Sequence, residues 1–357
     1  MNPYYDAARP HHRPQGFQNR YVEFAPRGLA DLARWRWNAW REGLPPAPQT
    51  PPPVVTADHN FLHANAAAGP AMQPSVTFIG HSTVLLQIPV GDRGLQVLLD
   101  PVFSERASPV SFAGPRRFQP PGLALDALPH IDVVLVSHNH YDHLDEASVR
   151  ALARQPGGPP LFVVPLGIGP WLASHGVPDA VELDWWQSHT LDRGGESAEI
   201  TLTPAQHWSS RSLTDRMTTL WGGFAVTAPA FHAFYSGDTA YSRDFADIAA
   251  HFAPRQDAAH GGGFDLALLP IGAYAPRWFM QQQHADPAEA VQIHRDLRSK
   301  RSIGVHWGTF ALTDEPLDQP PRDLAAAVRQ QGLADGAFTT MAIGETRRLP
   351  RRTPGNP

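Results

Sequence analysis

The stretch Val136-Ser137-His138-Asn139-His140-Tyr141-Asp142-His143-Leu144-Asp145 decides how this chain is read. It places three histidines and an aspartate within six residues. The run before it, Ile131 to Val136, is apolar and β-branched and predicts a buried strand. The run after it, Asp145 to Ala153, predicts a helix with Asp145 as N-cap. The cluster therefore sits where a strand ends and a helix begins, the edge at which α/β folds place chemistry. Neutral imidazole and carboxylate are ligands for borderline or hard divalent metals. Along an extended chain, His138, His140 and Asp142 share one side, and a turn at Asp142-His143 brings His143 around. A catalytic zinc takes three protein ligands and keeps one position open, so four are too many for one ion. Two metals side by side explain the crowding. The bland alternative is a polar loop that is His-rich by chance. With 18 histidines in 357 residues chance pairs are ordinary, but four ligand-type residues at one strand end are not.

Composition narrows the chemistry. The chain is long enough to bury a large core and, by length alone, to hold two domains. A net charge of −5 offers no basic field for nucleic acid. There is no cysteine, which excludes disulfides, a thiol nucleophile and Cys-type structural zinc. A metal must then be held by histidine and carboxylate, which favours a catalytic site over a structural one. No apolar run approaches the roughly 18–20 residues of a spanning helix. Residues 1–20 also lack the apolar core of a secretory signal. A cytoplasmic protein is the expectation, with peripheral attachment to a membrane left open.

Residues 1–74 form a Pro- and Trp-rich arm expected to pack on or near the body. Within it, Leu29 to Arg41 reads as a short helix with Leu29, Leu32, Trp35 or Trp37, and Trp40 as candidates for one apolar side. Its mix of Trp and Arg suits an interfacial helix, and docking on the body is the alternative. The body spans 75–350. It opens with a hairpin around Gly80-His81-Ser82 (Val76 to Ile88) and a strand at Leu95 to Phe103. A long loop over 104–129 follows, of a length that often carries function. Further strands are predicted at Leu161 to Pro165, Ala198 to Ala205, Thr219 to Thr227, His232 to Tyr235, Phe264 to Ile271 and Ser302 to Val305. Helices are predicted at Asp286 to Arg298 and Pro321 to Gln331. A charged, Pro-rich tail, 351–357, is expected to fray. No internal repeat is visible at a fixed period. Strands that first meander and then alternate with helices give a mixed α/β (α+β) domain.

The pattern His138-x-His140-x-Asp142-His143 resembles the signature of the metallo-β-lactamase superfamily. Three later stretches resemble its remaining ligand motifs, in order: Pro204-Ala205-Gln206-His207-Trp208, Ser236-Gly237-Asp238-Thr239-Ala240-Tyr241 and Val305-His306-Trp307-Gly308-Thr309-Phe310. Taken alone, His207 and His306 read as structural histidines at strand ends, and Asp238 as an ordinary turn aspartate. A closer resemblance is to the N-acylphosphatidylethanolamine-hydrolysing phospholipase D branch. It rests on Gly16-Phe17-Gln18-Asn19-Arg20, Gly80-His81-Ser82-Thr83, Asp100-Pro101-Val102-Phe103-Ser104, the segment from Pro270 to Met280, and Gln283-His284-x-Asp286-Pro287. The likeness runs from about Gly16 to about Thr313. It departs at Ser209-Ser210-Arg211, where animal members of the branch carry a lysine-containing segment.

The resemblance implies a four-layer αββα sandwich, two mixed sheets face to face with helices on both outer sides and a metal cleft at one edge. It implies two zinc ions, with other divalent metals able to replace them. His138, His140 and His207 hold the first, Asp142, His143 and His306 the second, and Asp238 bridges both, as does a water-derived hydroxide. That hydroxide attacks a phosphodiester directly, with no side-chain nucleophile. The implied substrate is N-acylphosphatidylethanolamine, cleaved to phosphatidic acid and an N-acylethanolamine. Asp142 and His284 are the expected catalytic residues, His284 as general acid or phosphate contact. Tyr141, Arg277 and His81 are candidate substrate contacts. For Arg277 a structural ion pair is the alternative, and for His81 the orienting of a ligand carboxylate. Phe112, Phe118 and Leu123 are candidates for an acyl groove. His130, His189, His251, His260 and His294 fit no constellation. A homodimer is implied by analogy with the branch, and a peripheral membrane contact is suggested by the Trp- and Arg-rich arm. A lactonase or other ester hydrolase of the same superfamily is the alternative function, because one fold hosts many activities. A metal-bound scaffold without catalysis is the non-enzymatic alternative, and the filled ligand set argues against it.

Overall fold

The apolar runs of this sequence are continuous rather than alternating because both faces of the sheets they build are covered. The computed structural model describes residues 2–23, 25, 27–256 and 262–352. In chain order, a small hairpin of β1 (His12–Arg13) and β2 (Gly16–Phe17) precedes helices α1 (Leu29–Glu42) and α2 (His59–Ala66). Then come β3 (Ser75–Gly80), β4 (Thr83–Ile88), β5 (Leu95–Leu99), β6 (Val133–Leu135), α3 (Glu146–Leu152), β7 (Leu161–Pro165), α4 (Gly169–Ser174) and β8 (Val181–Leu183). The second half holds β9 (Ser188–Arg193), β10 (Glu196–Thr203), β11 (Gly223–Ala228), β12 (Phe231–Tyr235), α5 (Asp244–Phe252), β13 (Leu266–Pro270), α6 (Arg277–Met280) and α7 (Pro287–Asp296). It closes with β14 (Ser302–Val305), α8 (Gln319–Gln330), β15 (Phe338–Thr340) and β16 (Thr346–Arg348).

Two seven-stranded sheets result, ordered β16-β3-β4-β5-β6-β7-β8 and β15-β14-β13-β12-β11-β10-β9. In each, one half is antiparallel and the other parallel. The two sheets thus repeat one connectivity, although the sequence shows no repeat. The parallel strands need crossovers; α3, α4, α5, α7 and α8 lie in five of them, and the long loop between β5 and β6 makes the sixth. Along β4 the residues divide by parity. Val84, Leu86 and Ile88 join the main core between the sheets, while Leu85 joins a second cluster. That second cluster includes Ile79, Leu98, Val134, Phe162 and Val164 from the strands, and Leu62, Val149, Leu152 and Leu172 from α2, α3 and α4. On the other side, Phe245, Ile248 and Phe252 of α5 and Val291 of α7 pack against the second sheet. The expected layering of helix, sheet, sheet and helix is what these clusters build.

Several elements differ from the sequence reading. The strands β1, β2, β8, β9, β15 and β16 and the helices α2, α5 and α6 have no counterpart in it. Strand β9 alternates exposed and half-buried residues and carries charge, so its apolar signal is weak. The strand expected over 219–227 begins only at Gly223. In α1 the apolar side is not the expected one. Trp35 and Ala39 are buried, whereas Leu29, Leu32, Trp37 and Trp40 are exposed. Trp35 is the docking residue because it has a partner for its polar edge: Nε1 donates to Asp314 at 2.8 Å while the ring packs at a tilt against Phe279. Leu349 N donates to Pro74 O and Arg352 N to Ala230 O, both at 2.7 Å, so the first two residues of the segment expected to fray, 351–352, lie against the body. The rest of that tail, 353–357, and His260 fall outside the described residues.

Candidate metal centre

Beyond β6 the backbone is held by one carboxylate. Ser137 donates to Asp100 through both its amide (2.7 Å) and its hydroxyl (2.6 Å). A tight turn follows, in which the amides of His143 and Leu144 both donate to His140 O, at 3.1 and 2.8 Å. Asp145 then caps α3 by accepting from Ser148 N at 3.3 Å. The turn is what puts His143 beside the other ligand-type residues. His207 follows β10, Asp238 follows β12 and His306 follows β14, so strand ends from both sheets deliver the set.

Gly237 makes one of these approaches feasible. Its φ is +61°, and a Cβ there would lie 2.7 Å from Ser137 Cβ and 2.8 Å from Gly222 O. Gly237→Ala is expected to destabilise the protein by about 2–3 kcal/mol, read as a lower midpoint in denaturant or thermal unfolding.

The side chains converge in two groups with Asp238 between them. In the first, His138 Nε2 lies 2.8 Å from His140 Nδ1, which lies 3.4 Å from His207 Nε2. In the second, Asp142 Oδ2 lies 3.6 Å from His143 Nε2 and 3.3 Å from His306 Nε2. Asp238 Oδ2 lies 3.1 Å from His306 Nε2 and 3.2 Å from His143 Nε2, and 4.0 and 3.9 Å from His138 and His207 Nε2. A zinc ion with bonds of about 2.0–2.1 Å sets tetrahedral donors about 3.4 Å apart, and these spacings bracket that edge. The donors are all nitrogen and oxygen, the set that suits zinc and harder divalent ions. Asp238 Oδ1 and His143 Nε2 are buried with no hydrogen-bond partner among the described residues. Buried polar atoms are normally satisfied, and a cation would satisfy these. By spacing, chemistry and orphaned atoms, the residues fit a pair of divalent cations.

Electrostatics point the same way. Burial, reinforced by neighbouring imidazoles, holds His138 well below the ordinary histidine range and His140 at about 3. Burial likewise takes His207 to about 4, against the pull of Asp238. These rings are neutral at neutral pH, the state in which a nitrogen lone pair is available to a metal. Burial would raise Asp142 and Asp238, but the adjacent histidines, His143 foremost, hold both well below the usual carboxylate range. Burial opposes charge on His143 and His306 too. The carboxylates overcome it, lifting His143 well above its usual range and His306 to about 9. The second group is thus arranged around positive charge.

The weaker candidates divide. His81 is fully buried behind Asp142, its Nε2 3.0 Å from Asp142 Oδ2. Arg277 makes the structural alternative: it donates to His284 O (2.7 Å) and Glu289 (2.8 Å) and lies 3.6 Å from Asp286. Those bonds occupy its guanidinium within the protein and place it as a support for the His284 loop. Tyr141 donates to Arg211 O at 2.9 Å and lines a cleft of about 340 Å³ with Asn139, Trp171 and Arg211. His284 lies within the cluster, with Nδ1 3.9 Å from Asp238 Oδ2. Of the three candidates for an acyl groove, Leu123 is buried under the first sheet beside Ile79 and Leu85, and does not face a groove. Phe112 and Phe118 are exposed.

One residue of the site escapes the sequence reading as a functional residue, Asp100. Fully buried, it accepts from Ser137 and from His143 Nδ1 at 2.6 Å, and from the Tyr235 hydroxyl at 2.5 Å. The bond to Nδ1 leaves Nε2 of His143 as the atom facing Asp142 and Asp238, a common support for a metal-binding histidine. The Asp-Pro pair at a strand end is a signal of position, not of role.

Residues 96–307 match the family described as Beta-lactamase superfamily domain. The chain is 37% identical over 278 residues to N-acyl-phosphatidylethanolamine-hydrolyzing phospholipase D 1 of Caenorhabditis elegans, covering 75% of this chain and 74% of that one. It is 36% identical over 247 residues to the mitochondrial protein of the same activity name in Saccharomyces cerevisiae, covering 69% of this chain and 50% of that one. Among solved structures, the isothiocyanate hydrolase from Delia radicum gut bacteria superposes with a TM-score of 0.58 at 19% identity, over 77% of this chain and 99% of that one, a likeness of fold. With that match across the segment that carries the clustered histidines and aspartates, the chain belongs to the β-lactamase superfamily and is a metal-dependent hydrolase related to the worm and yeast phospholipases.

Proposed function

We propose that the protein is a dinuclear metal hydrolase that cleaves the phosphodiester of an N-acylphosphatidylethanolamine, releasing phosphatidic acid and an N-acylethanolamine. The observation that carries this reading is the convergence of seven side chains from four separate strand ends, six of them in two groups flanking the seventh, Asp238. His138, His140 and His207 would hold one ion, and Asp142, His143 and His306 the other. A cation pair supplies a water acidified toward neutral pH and offsets charge developing on phosphoryl oxygens. The chain's own residues do the rest. Asp142 is aimed by His81, and His143 by Asp100, so neither ligand must reorganise when substrate arrives. In the hydrolysis one P–O bond to water forms, the P–O bond to the ethanolamine breaks, and the departing oxygen takes a proton.

His284 has two candidate roles, proton donor or phosphate contact. Burial holds its ring neutral, despite the pull of Asp238, which favours the second: a neutral N–H donating to a phosphoryl oxygen. His284→Ala is expected to lower kcat/KM about 100-fold, with both metals retained. Steady-state rates with elemental analysis of the same sample check this.

A phospholipid substrate is supported by a cavity of about 240 Å³ whose lining mixes apolar Leu29, Leu32, Trp208 and Phe279 with Arg27 and Arg216. Trp208 is also the ring that edges His140, at 4.6 Å between centroids. The exposed Leu29, Trp37 and Trp40 of α1 support contact with a bilayer surface. No helix of the described residues is long and apolar enough to cross a membrane. The test is turnover by the zinc-loaded protein on vesicles containing N-acylphosphatidylethanolamine, beside a panel of lactones. Release of N-acylethanolamine is expected. Lactone turnover with no phosphodiester cleavage would overturn the proposal in favour of a lactonase.

A further inference from the structure

We infer that residues 16–22 of the N-terminal arm are a strap that holds His207 in the metal centre, with Asn19 as its positioning residue. The inference rests on the dinuclear reading above.

Strand β10 ends at Thr203, four residues before His207, so the ladder that fixes the strand does not reach the ligand. Asn19 takes the place of a neighbouring strand. Its Nδ2 donates to His207 O at 2.9 Å, and its Oδ1 accepts from His207 N at 3.1 Å. Both backbone groups of the residue are thereby satisfied by one side chain, 188 positions away in sequence. The same Oδ1 accepts from Trp221 Nε1 at 3.2 Å, and Asn19, His207 and Trp221 are all buried. The imidazole itself is fixed by its Nδ1 bond to Gln283 O at 2.8 Å, but that bond sets ring rotation, not the height of the peptide.

The strap is tied on both sides of Asn19. Upstream, Phe17 N donates to Met217 O at 2.9 Å. Gly16 approaches so closely that a Cβ would lie 2.1 Å from the same oxygen, and its φ is +152°. Downstream, Gln206 Nε2 donates to Val22 O at 3.2 Å. Arg20 pairs with Asp244 and Asp247 of α5 at 2.9 and 3.0 Å, and α5 follows the Asp238 loop. The Asp238 loop is in turn bonded to the His207 segment, since Ala240 N donates to Gln206 O at 2.8 Å. One short segment thus braces the loops that carry His207 and Asp238. The arm has a separate anchor, in which Arg9, His11 and His12 surround the buried Asp184. Replacing Asn19 therefore removes the brace without detaching the arm.

The test is metal affinity. Wild-type protein, Asn19→Ala and Arg20→Gln would be stripped of metal and titrated with zinc against a chromophoric chelator. The cobalt-substituted absorption spectrum and the thermal midpoint would be recorded on each. Asn19→Ala is expected to weaken one of the two ions about 10- to 100-fold, the usual range for lost support behind a ligand, and to change the cobalt spectrum. Arg20→Gln is expected to shift both readouts in the same direction by less. Wild-type affinity and spectrum in Asn19→Ala, with or without a lower thermal midpoint, would reduce Asn19 to a structural residue and overturn the inference. If Asn19→Ala does not fold, unchanged affinity in Arg20→Gln overturns it. A wild-type protein that binds no metal would sink the dinuclear reading itself, a result distinct from two tight sites that ignore Asn19.

Discussion

Asp238→Asn is expected to lower phosphodiester turnover by about three orders of magnitude, about 4 kcal/mol of barrier. The folded chain should then keep no more than one tightly bound metal. The reason is position and charge together. Asp238 Oδ2 lies within 3.1–3.2 Å of His143 and His306 and within 3.9–4.0 Å of His138 and His207. It is the carboxylate placed to face both groups of nitrogen donors. Asparagine keeps the shape and removes the negative charge that offsets two cations. Its amide nitrogen would also point a donor at a place built for an acceptor. Kinetics and metal content on one preparation, with far-ultraviolet circular dichroism to confirm folding, measure the effect. Near-normal turnover with two metals would mean that Asp238 is not a bridge.

Asp100→Ala should destabilise the fold more than Gly237→Ala does, by about 3–5 kcal/mol in all. The carboxylate is fully buried and accepts from four donors: Ser137 N, Ser137 Oγ, His143 Nδ1 and Tyr235 OH. Alanine leaves all four buried without that partner. Burial, with the Asp100 carboxylate next in weight, keeps the Tyr235 phenol well above its ordinary pKa, so the hydroxyl remains a donor at any pH the fold survives. Asp100→Asn separates stability from metal binding. It keeps the volume and one acceptor, so the stability loss should be smaller. It no longer fixes the proton of His143 on Nδ1, so metal affinity should fall about 10- to 100-fold. Unfolding curves for both variants, with and without added zinc, would show whether Asp100 acts on the fold, the ligand or both.

The fold is legible where a strand is buried on both faces. Val133–Leu135, Leu161–Pro165 and Ser302–Val305 are short apolar runs bounded by turn residues, and they sit where their pattern places them. It is not legible at the edges. Strand β9 carries Asp192 and Arg193 and buries only alternate side chains in part, so its pairing with β10 sets its conformation more than its own sequence does. Helix α1 has apolar residues on several sides, and the choice of Trp35 over Trp37 is made by the acceptor that Asp314 offers. Arg277 cannot be assigned from its neighbours in sequence, because a guanidinium serves a phosphate or a carboxylate equally well. In the structure its guanidinium donates to Glu289 and to the carbonyl of His284.

By itself the sequence determined the ligand types. A chain without cysteine that crowds His138, His140, Asp142 and His143 at a strand end is committed to nitrogen and oxygen donors for any metal it holds there. Local chemistry is enough for that, because those residues share one turn. Motif resemblance already named the distant residues that complete the set, and the tertiary structure decided which hydrogen bonds support it. Asp100 behind His143, His81 behind Asp142 and Asn19 beside His207 are separated from their partners by 43, 61 and 188 positions. A supporting residue is defined by the hydrogen bond it makes, and such a bond exists only once two sheets and an arm have brought donor and acceptor within about 3 Å.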